Sequence, residues 1–294
     1  MSVRPAAVAG QFYEADGPTC ALHIEQMLAQ VQLPPDLPPN ITGGIVPHAG
    51  WVFSGSLALL TLAAIKKQEH AVDTFVVFGA VHRANQPLAM LYDAGQWDTP
   101  LGPVDVDEHL ARKALAQAAD LMLVDTDAHT QEHSIEVQVP LIAHLFPEAK
   151  IVPVLTPPTP QAPLVGQAVA RAVAAAPNKV ICIGSTDLTH YGPSYMFTPH
   201  GTGQEGIDWA KRENDRFFID LVLSMQAEKI VESAEMYRNA CGAGAVAATV
   251  AAAKDMGAAS GRLLAHTTSA EVIAERFGRG SDDSVGYAAI IFGR

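Results

Sequence analysis

Cysteine is scarce in this chain of 294 residues, which contains only Cys20, Cys182 and Cys241. Three cysteines, an odd number, do not indicate the disulfide framework of a small secreted protein. Basic residues are few as well, because 19 lysines and arginines stand against 31 aspartates and glutamates, for a formal net charge of −12. Nucleic acids and anionic membranes both require basic patches, so this balance predicts neither as a partner.

Long apolar runs are missing from the sequence too. The Ala/Val-rich stretches 165–176 and 242–253 are too short to cross a bilayer, and the first residues lack the apolar core of a signal peptide. We therefore expect a cytoplasmic protein. Hydrophobic residues nevertheless make up 49 % of the chain and charged residues 17 %, which favours a folded domain with a sizeable core over disorder.

Predicted strands and helices alternate along the chain. Short apolar runs predict strands at 41–47, 74–80, 121–124, 151–155, 180–184, 263–267 and 287–292, with a turn-rich β segment between 87 and 106. Helical periodicity predicts helices at 21–31, 54–67, 108–119, 135–146, 162–175, 207–225, 227–233 and 242–256. This alternation is typical of a layered α/β fold, and we expect one domain over residues 1–294.

Three histidines each follow a short apolar run. His48, His82 and His190 come just past predicted strands at 41–47, 74–80 and 180–184. Ligands of open α/β sheets bind in the crevice outside the carboxyl ends of the strands. Three imidazoles delivered to that edge predict one shared site, and a metal ion is the commonest reason to gather them.

Cys241 comes at the start of the predicted helix 242–256. The helix dipole favours a thiolate there, so we expect a lowered pKa for the thiol, and thiolate is the form that binds metals. The alternative is a small buried residue at a tight turn.

The segment 185–191, STDLTHY, places polar and ionisable groups directly after a strand. Asp187 is a candidate to orient a ligand histidine or to hold substrate, and His190 to act as a ligand or as a general acid or base. A turn stabilised by its own hydroxyl and carboxylate groups, with an exposed histidine, would explain the same residues.

The segment 129–133, HTQEH, matches the H-x-x-E-H pattern of a class of zinc proteases. In that hypothesis His129 and His133 bind Zn²⁺ from one helical face, and Glu132 is the general base. Asp125 and Asp127, just before the segment, favour a loop or a polar helix start instead. His133 remains a candidate to face the pocket in that case.

Six segments, in order over nearly the whole chain, resemble the Memo family, which includes AmmeMemoRadiSam system protein B and is similar to class III extradiol dioxygenases. The matching segments are RPAAVAGQFY (4–13), VPHAGWVFSG (46–55), WDTPLG (97–102), EHSIEVQ (132–138), STDLTHY (185–191) and CG (241–242). The resemblance implies one α/β domain with a central mixed sheet flanked by helices. It also implies a metal site formed by His48, His82 and Cys241.

The resemblance further implies that the catalytic residues His190, Asp187 and His133 line the same pocket, with Fe(II) as the expected metal and Cu or Zn as alternatives. Two departures from the pattern stand out. Cys241 takes the place of the carboxylate found in the dioxygenases, and a thiolate shifts metal preference towards Cu(I), Zn or thiolate-bound iron. His82 follows Gly-Ala-Val, where the family usually has Gly-Pro-Asn.

Three functions remain open from the sequence. The first is a non-haem iron oxidoreductase, similar to the dioxygenases, that acts on a small-molecule or peptide substrate. The second is a non-enzymatic protein that handles copper or iron or binds a peptide, and the third is a zinc hydrolase through His129 and His133. The resemblance also implies AMMECR-type and radical-SAM proteins as pathway partners.

Overall fold

A nine-stranded mixed sheet organises the part of the chain that the computed structural model describes, residues 2–84 and 86–294. The strands in chain order are β1 (Val3–Arg4), β2 (Gly43–Val46), β3 (Thr74–Gly79), β4 (Ala89–Leu91), β5 (Gln96–Trp97), β6 (Val104–Asp105), β7 (Met122–Val124), β8 (Lys150–Leu155), β9 (Val180–Ser185), β10 (His190–Tyr191), β11 (Ser260–Thr268) and β12 (Ser284–Gly293).

The order of the large sheet is β10-β12-β2-β9-β3-β8-β4-β7, with β11 also paired to β12. Strands β2, β9, β3 and β8 are mutually parallel neighbours at its centre. The pairings of β12 with β2 and of β4 with β8 are antiparallel, which makes the sheet mixed. Strands β1, β5 and β6 form a separate small sheet. The carboxyl ends of β2, β9 and β3 therefore lie side by side.

The α-helices connect and cover these strands. They are α1 (Gly17–Leu28), α2 (Trp51–Glu69), α3 (Glu108–Gln117), α4 (Val139–Leu145), α5 (Ala162–Ala174), α6 (Gln204–Trp209), α7 (Arg216–Leu223), α8 (Ala227–Tyr237), α9 (Ala243–Asp255) and α10 (Ser269–Phe277). A π-helical segment, Ala210–Asp215, joins α6 to α7.

Strand β3 shows why the central strands are apolar throughout. Phe75 and Val77 pack into a core that contains residues of α1, α2 and α4, whereas Val76 and Phe78 pack into a second core with residues of α3, α5 and α9. Side chains alternate across a strand, so a strand covered on both faces must be apolar at every position. The predicted α/β fold, with a mixed sheet flanked by helices, is confirmed.

The predicted helix at 207–225 differs in the structure, because α6 and α7 are joined by a π-helical segment rather than by regular α-helix. The two consecutive residues Asn214 and Asp215 both point inward and are 4 % and 1 % exposed. The amide of Asn214 donates to the hydroxyl of Thr189, and the carboxylate of Asp215 accepts from the backbone N–H of Thr189. The helical periodicity of the sequence does not indicate that these two adjacent polar side chains both point inward.

The predicted helix at 135–146 begins later than expected. A 3₁₀ turn at Glu136–Gln138 precedes α4, and Pro140 lies in the first turn of α4, where its missing N–H costs no helical hydrogen bond. Helix α10 was not predicted.

No helix in the described ranges 2–84 and 86–294 has the length and hydropathy needed to span a membrane.

Candidate metal centre

Three parallel strands bring residues of the candidate site to one edge of the sheet. His48 lies two residues after β2 and His82 three residues after β3, while Asp187 lies two residues after β9, the strand between them. Cys241 reaches the same edge from the segment before α9. The ligand atoms of His48, His82 and Cys241 lie within 4.8 Å of one another, so the structure brings together the three residues expected to bind metal.

The position of Cys241 depends on a close approach between two backbones. A side chain at Gly242 would put its Cβ 2.3 Å from the carbonyl oxygen of Ser185, so only glycine allows the chain to pack against the end of β9 here. The backbone N–H of Cys241 also donates to the carbonyl of Asp187 over 3.2 Å. These contacts leave Sγ of Cys241 3.1 Å from Nε2 of His48.

The imidazole of His48 is oriented by a hydroxyl group. Nδ1 of His48 lies 3.0 Å from Oγ of Ser185, which donates its own proton to the carbonyl oxygen of Ser134 over 2.7 Å. Because that proton is committed, Ser185 accepts from Nδ1–H of His48, and Nε2 keeps its lone pair on the side of Cys241. Burial, with the nearby imidazoles of His82 and His133, holds the pKa of His48 well below its ordinary value.

The imidazole of His82 is oriented by a buried carboxylate. Oε1 of Glu132 accepts from Nδ1 of His82 over 2.9 Å, and Oε2 accepts from the backbone N–H of His82 over 2.9 Å. Oε1 also accepts from the backbone N–H of Ser134. Burial alone would lower the pKa of His82, but the hydrogen bond and charge of Glu132 outweigh burial and raise it. A carboxylate on the far nitrogen of a histidine is a common support for a metal ligand.

The pKa of the Cys241 thiol differs from the expectation based on sequence. The helix dipole predicts a lowered pKa, but burial and the charge of Asp187 raise the pKa above the ordinary value. Desolvation of the charged form is the largest cause of this rise. A metal ion that binds here must displace the thiol proton.

Asp187 supports the loop after β2 rather than the imidazole ring of a ligand. Its Oδ1 accepts from the backbone N–H of His48 over 2.7 Å, and its own N–H donates to Sγ of Cys241 over 3.3 Å. Burial raises the pKa of Asp187 to about 7.

His190 and His133 line the same cleft, which has a volume of about 570 Å³. The ring of His133 stacks on that of His82 with centroids 4.8 Å apart, and the ring of His190 stacks on Tyr195 at 5.0 Å. Burial lowers the pKa of both histidines, that of His190 to about 4. The lining residues are Phe12, His48, Ala49, Gly50, Phe53, His82, His133, Asp187, His190, Tyr195, Ser269, Ile273, Ser281, Asp283, Val285 and Tyr287.

The zinc-protease interpretation of HTQEH is wrong in structural terms. The segment begins at the last residue of a 3₁₀ turn, Asp127–His129, and contains no α-helix, so His129 and His133 do not share a helical face. Nε2 of His129 lies 3.0 Å from the carbonyl oxygen of Met90, and the side chain is fully buried. Among the residues that the structure describes, His129 belongs to no group of convergent metal ligands.

Sequence reasoning missed several residues of the site. The role of Glu132 in orienting His82 was not predicted, although its segment was singled out, and Ser185 was noted only as part of a polar run. Phe12 belongs to the segment 4–13, which carries part of the family resemblance, but the sequence analysis did not predict that it lines the cleft. Tyr287, inside an apolar strand, carries no sequence signal that separates it from a core residue.

The chemistry of the donor set fits a transition metal. Two imidazoles with fixed tautomers and one thiol converge beside a cleft, and nitrogen and sulfur donors of this kind suit iron, copper and zinc. A carboxylate cage for Ca²⁺ or Mg²⁺ would use oxygen donors instead. Fold and site together define an α/β protein with a candidate two-histidine, one-cysteine metal centre.

Comparison with known proteins identifies the family. The family model described as Memo-like protein matches residues 4–291, and this chain belongs to that family. It is 35 % identical over 298 residues to a MEMO1 family protein of Thermococcus onnurineus, covering 99 % of both chains. It is 36 % identical over 302 residues to a MEMO1 family protein of Pyrococcus abyssi, covering 99 % of this chain and 100 % of the relative. The resemblance found in the sequence is confirmed.

A solved structure supports the fold alone. The crystal structure of the uncharacterized protein JW3007 from Escherichia coli K12 superposes with a TM-score of 0.52 at 10 % sequence identity, covering 86 % of this chain and 100 % of the other.

Proposed function

We propose that His48, His82 and Cys241 bind one redox-active metal ion, Fe(II) in the first place, and that the protein is a non-haem oxidoreductase. The observation that supports this most directly is the convergence of the three ligand atoms within 4.8 Å beside the 570 Å³ cleft. The substrate is a small molecule or a peptide segment that enters this cleft. When bound, the iron would supply open coordination positions for substrate and O₂.

The chain's own residues contribute binding and proton transfer in this proposal. Ser185 and Glu132 fix the tautomers of the two ligand histidines, so their free nitrogens face the metal position. His190, whose pKa is about 4, is a neutral imidazole at neutral pH and therefore accepts a proton from a bound substrate. Asp187 holds the loop that carries His48, and His133 packs on the ring of His82 at the cleft wall.

Metal binding by variants tests the site. We expect about one equivalent of Fe(II) per chain after anaerobic loading. Cys241→Ala and His48→Ala should bind at least about tenfold more weakly, since each loses a ligand. Cys182→Ala and His129→Gln are matched controls, because both side chains are buried away from the three ligands. Equal binding by Cys241→Ala and wild type, or loss of metal in His129→Gln, would contradict the site.

Oxygen consumption tests the activity. The Fe(II)-loaded protein should consume O₂ with some members of a panel of catechols and small thiols, and His190→Ala should slow consumption while keeping its iron. No uptake with any member of the panel would contradict the oxidoreductase assignment.

The thiol of Cys241 favours a second candidate function, the handling of copper without turnover. Sulfur is a soft donor and prefers Cu(I), and Sγ lies only 3.1 Å from Nε2 of His48. This function predicts tighter binding of Cu(I) than of Fe(II), and transfer of copper to a metal-free acceptor protein. Neither result is expected of the oxidoreductase.

A further inference from the structure

The cleft beside the candidate metal centre is lined by carboxyl groups but, in the described part of the chain, by no lysine or arginine. Its lining side chains include the carboxyl groups of Asp187 and Asp283. His190 adds no positive charge near neutral pH, because burial lowers its pKa to about 4. A substrate that enters this space therefore meets the carboxyl group of Asp283 and no lysine or arginine side chain of the described lining.

A bound metal ion does not reverse this balance. A divalent ion brings two positive charges, the thiolate of Cys241 removes one, and the carboxylate of Glu132 on the far side of His82 offsets the other. The ion therefore has no positive charge left over to neutralise Asp187 or Asp283.

Asp283 is the carboxylate best placed to meet a substrate. It is half-buried, whereas Asp187 is only 5 % exposed. Its two oxygens accept from the backbone N–H and the hydroxyl of Ser194 over 2.9 and 2.6 Å, which fixes the carboxylate in place. Within the described part of the chain it takes part in no ion pair. A carboxylate oriented by neutral donors keeps free lone pairs for a ligand.

Aromatic side chains form much of the remaining wall. Phe12, Phe53, Tyr195 and Tyr287 line the cleft, and Ile273 adds an aliphatic surface. Aromatic faces bind flat apolar groups, and they also attract ammonium groups through the ring quadrupole. The aromatic wall and the carboxylate of Asp283 thus both favour a ligand that carries an ammonium group.

We infer that the cleft selects a substrate that carries a positively charged amine on an aromatic or flat apolar body, and that Asp283 recognises the amine. This inference rests on the proposed function, because it names the substrate class of that site. Phosphorylated, sulfated and carboxylate-bearing molecules are disfavoured, because their anionic groups would be desolvated beside Asp283 with no basic side chain to receive them.

Matched ligands of different charge test this inference. Protein loaded with redox-inert Zn(II) is titrated with 4-(2-aminoethyl)catechol, 4-ethylcatechol and 3,4-dihydroxyphenylacetate, which share a metal-chelating ring and differ in the charge of the side chain. Metal-free protein is titrated with 2-phenylethylamine, 2-phenylethanol and phenylacetate, which do not chelate. We expect the amine to bind at least about tenfold more tightly than the carboxylate in each set, with the neutral compound between them.

Asp283→Asn should abolish most of this preference and bring the ratio to about twofold or less. Asp282→Asn is the matched control, because the neighbouring Asp282 is exposed and does not line the cleft, so the preference should survive. Equal or tighter binding of the carboxylates, equal effects of the two substitutions, or no binding of any amine would overturn the inference. If the catechols fail to bind while 2-phenylethylamine keeps its preference, the metal-chelation part of the proposed function is wrong and the charge selection stands.

Discussion

Arg4 is a buried cation that holds together the segment behind the candidate metal centre. Its guanidinium donates to the carbonyl oxygens of His129 and Glu132 over 2.8 and 2.9 Å and forms a 2.8 Å ion pair with Glu136. It also lies 4.1 Å from the ring centroid of Trp97. Because Glu132 orients His82, Arg4 links the first residues of the chain to the ligand geometry.

We predict that Arg4→Met lowers the free energy of unfolding by about 3–5 kcal/mol, because Glu136 would be left as an uncompensated buried charge. Urea denaturation measures this loss. Arg112→Met, which breaks an exposed pair with Glu108, should cost less than about 0.5 kcal/mol. The double variant Arg4→Met/Glu136→Gln should recover part of the loss, and a double variant as unstable as the single one would contradict the charge argument.

His129 should make stability depend on pH. Burial lowers its pKa from 6.5 to about 4 in the folded protein, so the unfolded chain binds a proton that the folded chain does not. The contribution of His129 to the free energy of unfolding is therefore complete above pH 6.5. It decreases as the pH falls towards 4, by about 3 kcal/mol in total. Denaturation midpoints of wild type and His129→Gln should converge over this range. Parallel pH profiles would contradict the assignment.

At the residue scale, sequence patterns identified the candidate ligands but not the residues that orient them. His48, His82 and Cys241 belong to recognisable local settings, a strand end or a helix start. Glu132 and Ser185 act through contacts across 50 and 137 positions of the chain, and no local pattern encodes such pairings.

Helices α5 and α9 are the most closely packed helix pair that bears on the site. A Cβ at Gly166 of α5 would lie 1.9 Å from the carbonyl oxygen of Ala248 in α9. Helix α9 is built almost wholly from small buried residues, which allows it to lie flat against β9 and to place Cys241 at the sheet edge.

Gly166→Ala should destabilise the protein by about 1–3 kcal/mol, because the added methyl group forces the two helices apart. In an exposed helix the same change would stabilise by up to about 1 kcal/mol, so the sign itself is informative. Gly280→Ala is a control, since no atom lies within 4 Å of the methyl group that it adds and its φ is not positive. Chemical denaturation of both variants checks the difference, and a stabilised Gly166→Ala would refute the close approach.

At the element scale, helices with buried faces were predicted and α10 was not. None of the residues of α10 is fully buried, so the helix lacks the buried apolar face of the helices that were predicted. Its sequence does contain a capping box formed by Thr268 and Glu271, which is the local signal that could have revealed it. The strands were easier to predict, because continuous apolar runs have few alternatives in an α/β protein.

Across the whole molecule, the candidate ligands tie together distant parts of the chain, at positions 48, 82 and 241. An ion bound by all three ligands favours the folded state, in which alone they meet. We predict that the metal raises the free energy of unfolding by about 2.7 kcal/mol when its free concentration is a hundred times its Kd. Thermal denaturation of metal-free and loaded protein measures the shift.

Cys241→Ala should show little of this stabilisation, while Cys182→Ala should keep it in full. The same shift in both variants would mean that the ion binds elsewhere. Addition of a chelator to the loaded wild type should return its melting temperature to that of the metal-free protein.

The sequence by itself determined the α/β class, the central strands and the family, because apolar runs and ordered motifs are local properties of the chain. It also identified His48, His82 and Cys241 as candidate metal ligands, beside the alternative pair His129 and His133. Only the tertiary structure decided that His129 turns away to Met90 while Glu132 turns towards His82. It likewise decided that Cys241 packs beside Asp187 in a desolvated position, which raises the pKa of its thiol. Side-chain direction and desolvation depend on neighbours brought in from distant positions, and those neighbours exist only in the folded molecule.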